Sequence, residues 1–298
     1  MSKKIKTEKI YQVPVTLEQQ DGVDNSDRIL NSVQEYDEKG NLIMEVTYHP
    51  DGSISDKNEY TYDENGNLMV SVIYGEEEDA LESRKITRDE KGNPVIEEIT
   101  YLDGSIDEVS YVYEGSLLKE KIQKTGEGDI EVKEIFDYEG DKLTTYEKFN
   151  EYDEKVYQIR NIFEDGLLRE SEIRSSEDEE PYRQIIEYDE SGNRKIELRY
   201  NKKDMLVERN VYEADGQGRV VRVIEENPSR KNHTEFSYDD AGRLTHQVEK
   251  DMNDKVVSEI HRSYNEDGRL SAARVEYMDR MLGAMRENRL VYEYEYYD

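Results

Sequence analysis

The sequence predicts an all-β chain: a long antiparallel meander of about twenty strands in ~26-residue repeats, folded as an elongated, curved or spiralling sheet. Three observations carry this expectation. Ten glycines pace the chain at Gly40, Gly66, Gly92, Gly115, Gly140, Gly166, Gly192, Gly218, Gly242 and Gly268, spaced 23 to 26 residues apart. Several stand in nearly the same phrase, as in Tyr36–Leu42 (YDEKGNL), Tyr62–Leu68 (YDENGNL) and Tyr238–Leu244 (YDDAGRL). On both sides of these phrases apolar residues alternate with period two, the signature of a β-hairpin.

Each segment follows from local chemistry. Residues 1–30 lack the glycine phrase, but Ile10–Val15 reads as a first strand with Pro14 suited to a sheet edge, so the segment is assigned as an N-terminal cap strand. Residues 31–275 form the ten-unit hairpin array. In its second unit Asn58, Tyr60 and Tyr62 alternate into the turn, and Leu68, Val70, Val72 and Tyr74 alternate out of it. Asp63 is placed to accept turn amides and Gly66 to take positive φ, which fits a type I turn closed by a left-handed residue. A second turn joins each unit to the next, as at His49–Ser53 and Leu102–Ser105. The Tyr/Leu/Val face is expected on the concave or covered side. After Gly140 and Gly166 the apolar residues change parity, so the array is expected to bend there. Residues 276–298 are assigned as a C-terminal cap, with Met278, Met281, Leu282 and Met285 around a turn before a last strand.

Composition limits the function classes. Hydrophobic residues make up 34% of 298 residues, so a thick two-sided core is not expected. Aromatic content is nearly all tyrosine: 24 Tyr and 4 Phe, with no Trp. Tyrosine suits a half-wet surface, having an apolar ring and a polar tip. With 41 Lys and Arg against 72 Asp and Glu, the net charge is −31, which disfavours nucleic acid and anionic membranes and favours a basic partner. The same charge also keeps a long sheet from edge-to-edge association. Low hydrophobicity with high charge is a mark of disorder, but five prolines, abundant tyrosine and a phased repeat argue for a fold. There is no cysteine, which removes disulfides and thiolate chemistry. Met1–Lys6 is basic with no apolar stretch after it, so a cleaved secretory signal is not expected and a cytoplasmic location is.

The Tyr-Asp-x-x-Gly-Asn/Arg-Leu phrases resemble the YD repeats of Rhs-type and related polymorphic toxin proteins. The resemblance spans about residues 30–295, and is good at Tyr36–Leu42, Tyr62–Leu68, Tyr188–Asn193, Tyr238–Leu244 and Tyr264–Leu270. In that family the repeats form a sheet that spirals into a hollow shell around a C-terminal toxin. This chain is short for a shell, shows no self-cleaving core segment and has no toxin domain after its repeats, so encapsulation does not carry over. It looks more like a stand-alone, non-enzymatic binding protein of immunity or antitoxin type that sequesters a basic toxin. The alternative is a structural or glycan-binding YD-repeat module of a larger surface assembly.

No residue announces catalysis, and no cofactor or metal is expected. His49, His233, His246 and His261 lie in separate units without metal-ligand spacing and read as solvated strand-face residues. Asp63–Asn67 and Asp21–Asp27 faintly echo a calcium loop but lack its terminal glutamate. The candidate partner contacts are two acidic runs between glycine phrases, Glu76-Glu77-Glu78-Asp79 and Glu177-Asp178-Glu179-Glu180, together with Met281 and Leu282 as an adaptable apolar contact.

Overall fold

The computed structural model of the chain describes residues 3–14, 28–176, 181–279 and 284–298. These residues form 22 strands in one sheet. The first eight are β1 (Ile5–Val13), β2 (Ile29–Tyr36), β3 (Leu42–Tyr48), β4 (Ile54–Tyr62), β5 (Leu68–Tyr74), β6 (Ala80–Arg88), β7 (Pro94–Tyr101) and β8 (Ile106–Glu114). The next seven are β9 (Leu117–Lys124), β10 (Ile130–Glu139), β11 (Lys142–Phe149), β12 (Lys155–Glu164), β13 (Leu167–Ser175), β14 (Tyr182–Tyr188) and β15 (Arg194–Asn201). The last seven are β16 (Leu206–Ala214), β17 (Val220–Asn227), β18 (Arg230–Tyr238), β19 (Leu244–Asp251), β20 (Val256–Tyr264), β21 (Leu270–Asp279) and β22 (Ala284–Tyr296). Every strand pairs antiparallel with its successor, and β1 also pairs antiparallel with β22 along Ile5–Val13.

The sheet is therefore a closed 22-strand barrel, which corrects the expectation of an open curved or spiralling sheet. Alternation and turn chemistry are identical in an open and a closed meander, so they do not distinguish the two. The difference lies in one long-range ladder. Lys9 meets both Val33 of β2 and Glu293 of β22 across the backbone, and its Nζ lies 2.8 Å from Glu295. Tyr297 adds two bonds to the seam, donating its amide to the Lys4 carbonyl at 3.0 Å and its hydroxyl to the Tyr36 carbonyl at 2.5 Å. Neither terminal strand remains an exposed edge.

Curvature has a repeated local source. Each hairpin at the glycine phrases carries a register shift just before the turn, as between Glu35 and Tyr36, Thr61 and Tyr62, Glu187 and Tyr188, and Ser263 and Tyr264. A bulge bends its strand and increases the local twist. The shifts at Asp137/Tyr138 and Ile162/Phe163 belong to the same series, so bending is distributed around the ring rather than localised near Gly140 and Gly166.

The wall is thin. Its surface of 19032 Å² compares with roughly 13,000 Å² for a compact protein of this mass. No large side chain among the described residues is fully buried. Both faces of the sheet thus remain in contact with water. Neither is the single apolar face that was expected: Val33, Val46, Lys57 and Glu59 share one face, and Glu82, Arg84, Glu97 and Ile99 share the other. Twenty-two strands at about 4.8 Å give a circumference near 105 Å, hence a diameter of roughly 34 Å before strand tilt widens it.

Candidate partner-binding rim

The up-and-down topology gives the barrel two rims of different character. The first holds the ten glycine-phrase turns and both chain ends. The second holds the connections between units.

At the first rim the aspartate that opens a glycine phrase is committed to its turn, whereas the acids just after it, such as Glu38, Glu64 and Glu90, are exposed. Asp63 Oδ1 accepts the amides of Asn65 and Asn67, both at 2.8 Å, and its Oδ2 accepts Asn67 Nδ2 at 2.9 Å. Asp239 makes the same contacts with Ala241 and with Arg243, whose Nε lies 2.7 Å from Oδ2. These bonds favour the ionised form and hold the carboxyls of Asp63 and Asp189 below the usual range, the largest contribution coming from the asparagine side chain. The calcium-loop echo at Asp63–Asn67 is therefore a self-satisfied turn; the one at Asp21–Asp27 lies outside the described residues.

Tyrosines then tie several units to the one before. Tyr62 donates to the Leu42 carbonyl at 2.7 Å, Tyr188 to Leu168 at 2.9 Å and Tyr264 to Leu244 at 2.7 Å. Arg88 stands in the tyrosine position of its unit and reaches the equivalent Leu68 carbonyl at 2.9 Å. Arg219 and Arg243 stack on Tyr238 and Tyr264, with guanidinium carbons 4.8 and 4.7 Å from the ring centroids.

The second rim also carries turn-bound aspartates, Asp103 accepting the Ser105 amide at 2.9 Å, and beside them a run of outward acids. Glu76–Asp79 form the β5–β6 turn, closed by the Gly75 amide on the Asp79 carbonyl at 3.1 Å, and all four side chains are exposed. Glu78 holds φ at 59°, a left-handed conformation that costs a non-glycine residue about 1 kcal/mol. Following the rim, exposed acids recur at Asp103, Glu127, Asp129, Glu151, Asp153 and Glu154. Large apolar or aromatic side chains stand among them: Leu102 is 63% exposed and Tyr152 74%. Farther around, Met205 and Met252 are also exposed in turns.

Of the residues expected to contact a partner, the structure places Glu76, Glu77, Glu78 and Asp79 on this acidic arc. Glu177, Asp178, Glu179, Glu180, Met281 and Leu282 lie outside the described residues. The strands that flank them, β13 and β14 and β21 and β22, end at the same rim. Leu102 and Tyr152 escaped the sequence reading because each is a lone apolar residue in a polar turn; mapping turns to alternate rims would have grouped them.

A second constellation joins histidines that lie apart in sequence. His246 on β19 faces His261 on β20 directly across the ladder. Their rings stack at 4.4 Å between centroids, and Glu259 Oε1 lies 2.8 Å from His246 Nε2 and 3.1 Å from His261 Nε2. The two positions flank the 251–255 turn almost symmetrically, and that is the signal a register calculation would have used.

No family model matches the chain, and no curated protein matches it. Solved structures with which it aligns include the Photorhabdus luminescens Tc holotoxin pore, at 14% identity over 91% of this chain and 16% of that one, with a TM-score of 0.42. A TcdB2–TccC3–Cdc42 structure aligns at 15% identity over 86% of this chain and 16% of that one, with a TM-score of 0.43. A porin-like protein from Bacteroides uniformis aligns at 8% identity over 99% and 98% of the two chains, with a TM-score of 0.32. The chain thus spans 16% of the length of each of the first two of these chains.

Proposed function

We propose that this protein is a non-enzymatic binding protein that holds a basic protein partner against its second rim. The acidic arc carries the reading: Glu76–Asp79 and the exposed acids of the next three inter-unit turns share one rim with the exposed Leu102 and Tyr152. Acids arranged around a few apolar anchors supply the two ingredients of a tight complex. Charge steers the encounter, and desolvated aromatic or aliphatic anchors set the residence time. The net charge of −31 extends the steering field beyond the arc. The repeat phrases support a relation to YD-repeat toxin systems, within which a toxin-sequestering immunity role is the proposed context.

The test is capture and competition. Immobilised protein is challenged with lysate of the source cell at low and high salt, and retained proteins are identified. A basic protein is expected, bound at low salt with an association rate that falls as salt rises. Reversing Glu76, Glu77 and Asp79 to lysine is expected to slow association, and Leu102→Ala with Tyr152→Ala to speed dissociation. Recovery of abundant housekeeping proteins only, or binding indifferent to salt and to all five changes, overturns the proposal.

A further inference from the structure

We propose that His246, Glu259 and His261 form a binding site for one divalent transition-metal ion of the zinc class. The three offered ligand atoms lie within 4.8 Å of one another. Ligands about 2.1 Å from a tetrahedral ion are separated by roughly 3.4 Å along each edge. The two Nε2 atoms stand 2.8 and 3.1 Å from the carboxylate oxygen, so small side-chain rotations open the triangle to that size. Two imidazoles and a carboxylate are ligands that zinc-class ions accept and that calcium and magnesium, which prefer all-oxygen sets, do not.

The scaffold favours the arrangement. Both histidines sit on paired strands inside a closed ladder, so their separation is fixed by backbone hydrogen bonds rather than by a loop. Glu259 is two residues from His261, hence on the same face of the sheet. The neighbouring charges admit a cation. Arg274, opposite His261, is held by Glu276 and by Glu287 at 3.1 Å, and Arg289 is also bound to Glu287. Three carboxylates therefore stand against two guanidiniums on this face of the sheet. His261 also lines an adjoining cavity of ≈ 390 Å³ with Ser263, Ala272, Val291 and the glutamate-bound Arg274 and Arg289, which leaves water room to reach the site. The site lies toward the first rim, away from the acidic arc, so it stands independently of the partner proposal.

The experiment is calorimetric titration of the full chain with Zn²⁺, supported by the visible spectrum of the Co²⁺ form. One high-affinity equivalent is expected, unaffected by millimolar Ca²⁺ or Mg²⁺, with the intense absorption of tetrahedral Co²⁺. His246→Ala, His261→Ala and Glu259→Gln are each expected to weaken this equivalent by at least about tenfold. The unrelated His49→Ala is expected to leave it unchanged, and circular dichroism reports whether each variant retains its sheet. Folded variants that bind as tightly as the parent, or a titration showing only weak, multiple, Ca²⁺-sensitive binding to surface acids, overturn the proposal.

Discussion

A tyrosine hydroxyl that reaches a carbonyl in the preceding unit does more for this barrel than its burial suggests. Tyr62, Tyr188 and Tyr264 each cap a leucine carbonyl 20 residues earlier, and Asp63, Asp189 and Asp239 close the turns that follow the first two and precede the third. Tyr62→Phe keeps the ring and leaves the Leu42 carbonyl without that donor. The expected loss is about 1 kcal/mol, read as a lower urea midpoint at unchanged slope. An unchanged midpoint would show that water replaces the hydroxyl at no cost. The turn half of this chemistry was legible in the sequence, because Asp-x-x-Gly specifies a turn whatever surrounds it. The tyrosine half was not, because its acceptor lies in another hairpin and becomes a neighbour only once the sheet has formed.

At the scale of elements, β1 decides the architecture. It is the one strand with both neighbours far away in sequence or across a long connection, and it closes the ring between β2 and β22. Ile10 lies opposite Ser32 on one side and Tyr292 on the other. Ile10→Pro removes an amide donor from this doubly paired strand and leaves its ladder acceptor unsatisfied, at a cost of about 1–3 kcal/mol. Small-angle scattering is expected to show a larger, less defined particle, and light scattering to show self-association through the two exposed edges. A monomer with parental dimensions would mean that the β1 ladder is dispensable for closure. The strands themselves were readable from alternation, and Glu76–Asp79 from their charge. The facing of His246 and His261 was not, since it depends on a bulge between Glu249 and Lys250 that shifts the register by one residue.

The whole molecule titrates as a tyrosine-lined wall. Burial raises the phenol pKa values of Tyr111, Tyr146 and Tyr294, and the neighbouring Glu97, Glu134 and Glu8 raise them further. Tyr212, shielded by burial and facing Glu197, is pushed up to about 12. A phenol whose pKa is raised by folding contributes stability that is complete below its unfolded value near 10 and is lost as pH rises through the folded value. The barrel is therefore expected to hold its thermal midpoint up to about pH 10 and to lose it between roughly pH 10 and 12. Tyrosinate absorbance should rise together with the loss of β-sheet circular dichroism. Ionisation of these tyrosines well before any loss of sheet would show that they are not coupled to folding.

The sequence by itself determined the strands, the turns that separate them, their antiparallel succession and the acidity of the surface. Each of these depends on residues within one or two hairpins: alternation sets a strand, Asp and Gly set a turn, and a short turn forces antiparallel neighbours. Tertiary structure alone decided that the meander closes, that the turns sort onto two rims, with Glu76–Asp79 on the same rim as Leu102 and Tyr152, and that two histidines meet over one glutamate. Closure is a property of accumulated twist and bulge over 22 strands, completed by a ladder between the two ends of the chain. No local pattern encodes that sum, because every unit contributes a little curvature and none contains the seam.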